Sequence, residues 1–552
     1  MNEIEIPGYN PNMENKHDFR TIAAFVLCGY PPKRITAHPR FANYEILERR
    51  RRDRDTASIT RFHPPLPGLT VIIRAFGAPA PMLHRTLISL AASDYQRFCV
   101  LVTLSENDPM VFSCKALPGL KHVSGSCEKE VLERAVREVG AEMLMILNAG
   151  DMIKRGALRM MLGKACLPIC HDLIAADHDC LISGVASRPV FKPSPALLTE
   201  LCTGEFGHAL MVSRSLYRKV GGLFGPGDAG LYAARCINKA KSPVCIPQVL
   251  LTESGSDTHI GDAVTLSGEL MLLPAKAKGY RRVYWARGKR PLVSVIIDAG
   301  KGIDLLTHCI ERIEALSTYP RMELIVSHTG RKDGRVNEYF HLLQKRGCAK
   351  AIYIDSDSPS VRMSAAAEVS RGRYLVFFAS DLLPRNGDFI EELITPLLLP
   401  DIGVSGGKIL SADGRLEHTG YILGLRGGYG SFYCGESDDE SDSVKYEFTS
   451  VQRCVSAVSL DFAAIERRVF LNCASRFGSI IADPGVTLCK CVSENGLKTA
   501  YTPFACAMRN SPCLGTKHEA APFVAKSRPF TQDECVSPVY DLRFSVPRIK
   551  LD

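Results

Sequence analysis

The stretch RGRYLVFFASDLLP, residues 371–384, with its continuation GGKILSADGRLEHTGYILGL, residues 406–425, sets how the rest of the chain reads. Residues 374–378 are wholly apolar, the pattern of a short strand buried on both faces of an α/β sheet. The run stops at Ala379, Ser380 and Asp381. An acid at the carboxyl end of such a strand lies where open α/β sheets bind ligands. Asp381 is therefore a candidate for holding a metal and, through it, a diphosphate. The alternative is a helix cap or a turn, because Asp is favoured in both after a strand.

The same order of elements occurs twice. In the first half, residues 69–73 (LTVII) read as a buried strand. Met82, Leu83, Leu87, Ile88 and Leu90 follow at near-helical spacing. Residues 98–104 and 143–147 are further strands, with a helix over 131–139 between them; the last strand ends at Asn148, Ala149, Gly150 and Asp151. In the second half, residues 293–297 (VSVII), the helix over 305–313, residues 319–326 and residues 374–381 repeat that order. The offset is about 225–230 residues, too long for a solenoid and right for a domain duplication. Strands alternating with helices predict mostly parallel central sheets.

The predicted organisation has a polar and basic lead-in over residues 1–66 and a first domain over 67–280. A linker over 281–290 contains the only tryptophan, Trp285. A second domain over 291–510 and a tail or surface wrap over 511–552 complete the chain. At 552 residues, 46% hydrophobic and 23% charged, the composition is that of a well-cored chain. No apolar run reaches the length that spans a bilayer, and the acidic amino terminus lacks a secretion signal. The net charge is +9, with a local concentration of positive residues at Arg49, Arg50, Arg51, Arg52 and Arg54. This run suits either a solvated helix, since Glu48, Asp53 and Asp55 interleave it, or a peripheral contact with an anionic membrane surface. No nucleic-acid motif accompanies it. The 20 cysteines include no CxxC pair, and Cys28, Cys99, Cys245 and Cys309 sit in apolar stretches where free cysteine acts as a small hydrophobe.

Taken together, these pieces resemble bacterial family-two glycosyltransferases of the GT-A fold, in particular the tandem two-domain enzymes of O-antigen and exopolysaccharide synthesis. In the second half the resemblance rests on PLVSVII (291–297), TYPRMELIV (318–326), the two opening stretches, VSAV (455–458) and SENGLKTAYTP (493–503). In the first half it rests on DLIAADHD (172–179), RPVFKPSPALL (188–198), HALMVSRSLYRKVGGL (208–223) and CIPQVLL (245–251). It implies two tandem GT-A domains, each nucleotide-diphospho-sugar transferase-like. It also implies a nucleotide-sugar donor, Mg²⁺ or Mn²⁺, and a polysaccharide or lipid-linked glycan acceptor at the cytoplasmic face of the plasma membrane. The chemistry would be an inverting displacement in which a cation neutralises the leaving diphosphate and a carboxylate takes the acceptor proton.

The resemblance also assigns roles. Asp151 and Asp381 fall at the metal and diphosphate position, and Asp177 and Asp179 match a further acidic patch of the first unit, where a solvated loop is the alternative. Asp228 occupies the place of the catalytic base, where a helix N-cap is the alternative. In the second unit Gly485 and Thr487 stand where acids belong, leaving Asp483 as the substitute base. Arg415, His418 and Gly420 keep their family pattern, which places Arg415 and His418 on the acceptor side, with stabilisation of the loop as the alternative. Other motif positions depart from it: Ala379 and Ser380 precede Asp381, His328 replaces an acid, Asp298 a proline, and Met508 with Arg509 a late histidine pair. The two functions in view are a glycosyltransferase of surface polysaccharide synthesis and a non-catalytic scaffold of the same fold that binds glycan or a partner synthase.

Overall fold

A computed structural model describes residues 66–548 except 107–116, 118–119, 139, 167–169, 183–184, 208, 224–230, 255–262, 267, 278, 330–333, 348, 440–442, 478–482, 511–532 and 541. The Arg49–Arg54 run and Cys28 lie outside the described residues, as does Asp228.

The first unit contains β1 (Leu69–Arg74), β2 (Phe98–Ser105), β3 (Lys121–Gly125), β4 (Met143–Asn148), β5 (Met152–Ile153), β6 (Leu173–Ile182), β7 (Val185–Val190), β8 (Met211–Ser213) and β9 (Pro243–Ser254). A small antiparallel sheet follows, with β10 (Val264–Thr265), β11 (Leu270–Pro274) and β12 (Arg281–Trp285). The second unit begins with β13 (Val293–Asp298), β14 (Met322–His328), β15 (Ala349–Tyr353), β16 (Tyr374–Ala379) and β17 (Leu382–Pro384). It continues with β18 (Ile402–Leu410), β19 (Leu416–His418), β20 (Ile422–Leu423), β21 (Tyr429–Gly430), β22 (Arg453–Val455), β23 (Phe462–Glu466) and β24 (Lys498–Arg509).

The two large sheets run β3-β2-β1-β4-β8-β6-β9-β5 and β15-β14-β13-β16-β23-β18-β24-β17, so eight strands correspond one to one. The chain is two tandem α/β units. Parallel pairing holds for the first four strands of each sheet, with Leu69 opposite Phe98 and Met143, and Val293 opposite Met322 and Tyr374. Beyond β4 and β16 the sheets are mixed. The short β8 and its counterpart β23 pair antiparallel on both sides, and β6–β9 and β18–β24 return to parallel. The apolar repeat read from the sequence marks the parallel half alone.

Burial on both faces explains the unbroken apolar runs, since neighbouring residues of a strand point to opposite sides. In the second unit Val295, Ile297, Val376 and Phe378 pack with Leu306, Ile310 and Ile313 of the helix Ile303–Leu316. Ile296, Leu375 and Phe377 face the other way, towards Ala366 and Phe470. The first unit divides likewise, with Val71, Ile73, Met145 and Leu147 against Leu83 and Leu87, and Ile72, Leu144 and Ile146 against Val131 and Leu132.

The expected linker over 281–290 is instead partly strand. Residues 281–285 form β12, with Arg281, Val283 and Trp285 buried, because alternation puts these three on one covered face. The units are joined there by hydrogen bonds from Val283 N–H to Gln452 Oε1 (2.8 Å) and from Cys454 N–H to Thr199 Oγ1 (3.1 Å). Residues 533–548 behave as a wrap, with Val536, Val539 and Tyr540 buried against Phe191 of the first unit and Phe448 of the second. Cys309 is buried as expected, whereas Cys99, near the start of β2, is exposed. Among the described residues no helix is long and apolar enough to cross a membrane.

Candidate active site

The chain turns sharply after β4. Gly150 adopts φ 103°, a conformation that L side chains rarely take, and its N–H donates to Thr86 Oγ1 at 2.9 Å. This turn points Asp151 inward, where it is 2% exposed. Its Oδ2 accepts from Asn148 N–H at 2.7 Å, and its Oδ1 accepts from the N–H (2.9 Å) and hydroxyl (3.1 Å) of Ser254 at the end of β9. Asp151 thus ties the end of β4 to the end of β9.

Asp177 and Asp179 are not in a solvated loop; both are buried in β6. Asp177 Oδ1 accepts from Lys192 N–H at 2.9 Å, while Lys192 Nζ donates to the Ala176 carbonyl. Asp179 Oδ1 accepts from the Thr252 hydroxyl at 2.5 Å, and Lys154 Nζ lies 3.9 Å from its other oxygen. Register places Met152 opposite Thr252 and Thr252 opposite Asp179, so β9 alone separates β6, which carries Asp179, from β5, which Asp151 directly precedes. Glu253, next on β9, stands 3.8 Å from His178 Nε2. At the neighbouring end of β1, Arg74 pairs with Glu128 and donates to Asn148 Oδ1 at 3.0 Å. The first unit therefore gathers Asp151, Glu253, Arg74 and Lys154 around the ends of β1, β4 and β9, with Asp177 and Asp179 beside them along β6.

The second unit has the same strand-end acid in a different electrostatic setting. Asp381 Oδ1 accepts from Lys301 Nζ at 2.8 Å, and both its oxygens accept from Arg509 Nη1 at 3.0 Å. Arg509 also donates through Nε to Glu417 (2.9 and 3.0 Å) and through Nη2 to Asp461 (2.8 Å). Burial alone would push the Asp381 carboxyl up, but the adjacent Arg509 and the Lys301 ammonium hold it below the usual aspartate range. At the end of β13, Asp298 takes a two-pronged hydrogen bond from Arg362 Nε (2.6 Å) and Nη2 (2.7 Å). His328, at the end of β14, stacks on Phe340 with ring centroids 4.4 Å apart.

The other expected site residues fall in separate places. Asp483 caps the helix Pro484–Glu494, its Oδ1 accepting from Gly485 N–H (2.7 Å) and Val486 N–H (3.3 Å), and its Oδ2 accepts from the Tyr429 hydroxyl. A carboxylate committed to a cap is a structural group first. Arg415 is mostly exposed, pairs with Asp413 two residues away and donates to the Gly435 carbonyl. It fastens a turn at the surface. His418 is buried, its Nε2 accepting from Ser459 N–H at 3.3 Å and its ring edge-on to Tyr421. Burial, reinforced by Arg453 and Arg509, pushes its pKa down to about 3, so the imidazole is neutral.

The Mg²⁺ or Mn²⁺ implied by the resemblance needs several converging oxygen ligands. Among the described residues no group of three or more His, Cys, Asp or Glu side chains is placed to hold a metal ion. Asp151 already accepts three hydrogen bonds, and Asp381 faces two cations, so neither is a preformed ligand set. The residues that sequence reasoning passed over are Ser254, Thr252, Lys301, Glu417 and Asp461. Arg509 was visible only as a replaced histidine, although an arginine ending a largely apolar strand already calls for acidic partners.

No family model matches the chain. It is 27% identical over 286 residues to the O-antigen biosynthesis protein RfbC of Myxococcus xanthus, covering 46% of this chain and 22% of that protein. It is 27% identical over 233 residues to the uncharacterised protein y4gI of Sinorhizobium fredii, covering 41% and 25%. Among solved structures it is similar to a mannosyltransferase of Pyrobaculum calidifontis in complex with GDP-mannose and Mn²⁺, with 15% identity, TM-score 0.31, and 41% and 59% of the two chains covered. Another is GalNAc-T7 with UDP, GalNAc and Mn²⁺, with 11% identity, TM-score 0.34, and 42% and 45% covered. The chain spans about a quarter of the length of the curated relatives it matches.

Proposed function

We propose that the chain is a glycosyltransferase moving a sugar from a nucleotide-sugar donor to a growing surface polysaccharide or lipopolysaccharide, and that the first unit holds the donor. The observation that carries this reading is the acidic group of Asp151 and Glu253 at the ends of β4 and β9 with Asp177 and Asp179 buried beside them on β6, in a chain similar to an O-antigen biosynthesis protein. In the reaction the acceptor hydroxyl oxygen attacks the anomeric carbon, the bond to the diphosphate breaks, and the hydroxyl proton passes to a carboxylate. Asp228 is the candidate for that carboxylate. Asp151 orients the donor side, and Lys154 and Arg74 supply positive charge beside the departing diphosphate. The acceptor is a polysaccharide or lipid-linked glycan at the cytoplasmic membrane face, with the Arg49–Arg54 run as the peripheral contact. Mn²⁺ accompanies the nucleotide ligands in the two solved structures.

Calorimetric titration with uridine, guanosine and thymidine diphosphate sugars, with and without Mn²⁺, tests the reading. One donor should bind the wild type, and Asp151→Asn should weaken it at least tenfold while Asp381→Asn leaves it unchanged. No binding by any donor in either condition would end the catalytic reading. The alternative, a non-catalytic scaffold that binds glycan or a partner synthase, draws its support from the second unit, where Arg509 holds the acids that would otherwise face a ligand.

A further inference from the structure

Three carboxylates from three separate elements converge on one side chain in the second unit. Asp381 follows β16, Glu417 lies on β19, and Asp461 directly precedes β23; all three meet the guanidinium of Arg509 at the end of β24. Lys301 adds a second cation on Asp381. A divalent cation bound by the same oxygens would sit about 2.0–2.6 Å from each. That space is the guanidinium's own, because its nitrogens already contact all three carboxylates. The charges in contact are two positive (Arg509, Lys301) and three negative (Asp381, Glu417, Asp461), so the group also offers no net attraction to a diphosphate.

The first unit supplies an internal comparison. Register sets Arg509 opposite Leu382, the residue after Asp381, just as it sets Thr252 opposite Met152, the residue after Asp151. Where the second unit carries a guanidinium, the first carries a hydroxyl. A separate clamp, Arg362 on Asp298, fills the next strand end of the second sheet.

We propose that Arg509 is a resident cation, holding Asp381, Glu417 and Asp461 in the place a divalent metal would take, so that this face of the second unit takes no metal-bound nucleoside diphosphate. The proposal is independent of the donor assignment to the first unit, because its test uses metal alone.

Free Mn²⁺, measured by electron paramagnetic resonance during titration of the full chain, reads the number of ions bound. The wild type and Asp381→Asn should bind the same number. Arg509→Ala should bind one more Mn²⁺ per chain than the wild type, and Arg509→Ala with Asp381→Asn should lose that extra ion. The proposal is overturned if the wild type loses a bound Mn²⁺ on Asp381→Asn, or if folded Arg509→Ala gains none. Should Arg509→Ala fail to fold by circular dichroism, the wild type against Asp381→Asn and Glu417→Gln decides, since loss of a bound ion in either variant contradicts a resident guanidinium.

Discussion

Arg509 Nη1 lies 3.0 Å from both oxygens of Asp381, and the two residues close the second unit where β24 passes the end of β16. The pair is nearly out of water, with side chains 14% and 5% exposed. Breaking a buried ion pair from one side strands its partner, a cost of about 3–5 kcal/mol. Arg509→Ala removes the cation that Glu417 and Asp461 share and leaves Asp381 to Lys301, and should lose stability of that order in chemical denaturation of the full chain. Asp381→Asn leaves Arg509 two acids and should cost less. A double-mutant cycle on the two should return a coupling of about 1–3 kcal/mol, and a coupling near zero would mean that the contact contributes no pairing energy.

Gly150 is the second position at which one atom should matter. A Cβ there would lie 2.7 Å from Ser254 Cβ, on a backbone at φ 103°. Strain of this kind costs about 1–3 kcal/mol, and relieving it requires the Asp151–Ser254 contact to open. Gly150→Ala should therefore lower the melting temperature and weaken donor binding in calorimetry. Gly156→Ala, where a Cβ meets nothing within 4 Å, should do neither.

What the sequence showed was governed by burial. Residues 69–73 and 293–297 read as strands because both their faces are covered, which leaves an unbroken apolar run. The mixed half of each sheet was not legible, because β8 is three residues long and β5 only two. Arg281 to Trp285 looked like a linker since its three buried residues alternate with exposed-looking Arg282 and Tyr284. In the site, Asp151 and Asp381 were legible as strand-end acids. Their partners were not, because Ser254 and Arg509 lie more than a hundred residues away and meet them only through β-sheet register.

Glu200 sets an expected pH dependence. It is buried in the helix Leu197–Thr203, its Oε2 accepts from Phe206 N–H at 2.9 Å, and burial raises its pKa to about 7 despite that bond and nearby Lys192. A carboxyl whose folded pKa is raised favours folding while protonated. Its contribution is full below the unfolded value of 4.5 and is lost as pH rises to about 7. The loss amounts to roughly 3 kcal/mol. Glu200→Gln keeps the shape and removes the titration. Denaturation midpoints between pH 5 and 8 should fall less steeply in Glu200→Gln than in the wild type, and parallel curves would contradict the assignment.

His418 should act in the opposite direction. Its Nε2 accepts from Ser459 N–H, so its proton resides on Nδ1, which is buried and has no hydrogen-bond partner among the described residues. Protonation would place a second N–H and a full charge in a site already facing Arg453 and Arg509, which is why the pKa falls to about 3. A histidine with a depressed folded pKa stabilises the fold above its unfolded value of 6.5 and loses that contribution as pH falls towards 3. Full protonation would cost roughly 4–5 kcal/mol. His418→Gln should therefore flatten the acid limb of the stability curve between pH 6.5 and 4, while Asp381→Asn changes only the more acidic part. Histidine resonances followed by NMR give the direct check. One ring should remain neutral to the lowest pH at which the fold survives, and a His418 that titrates near 6.5 in the folded protein would rule this account out.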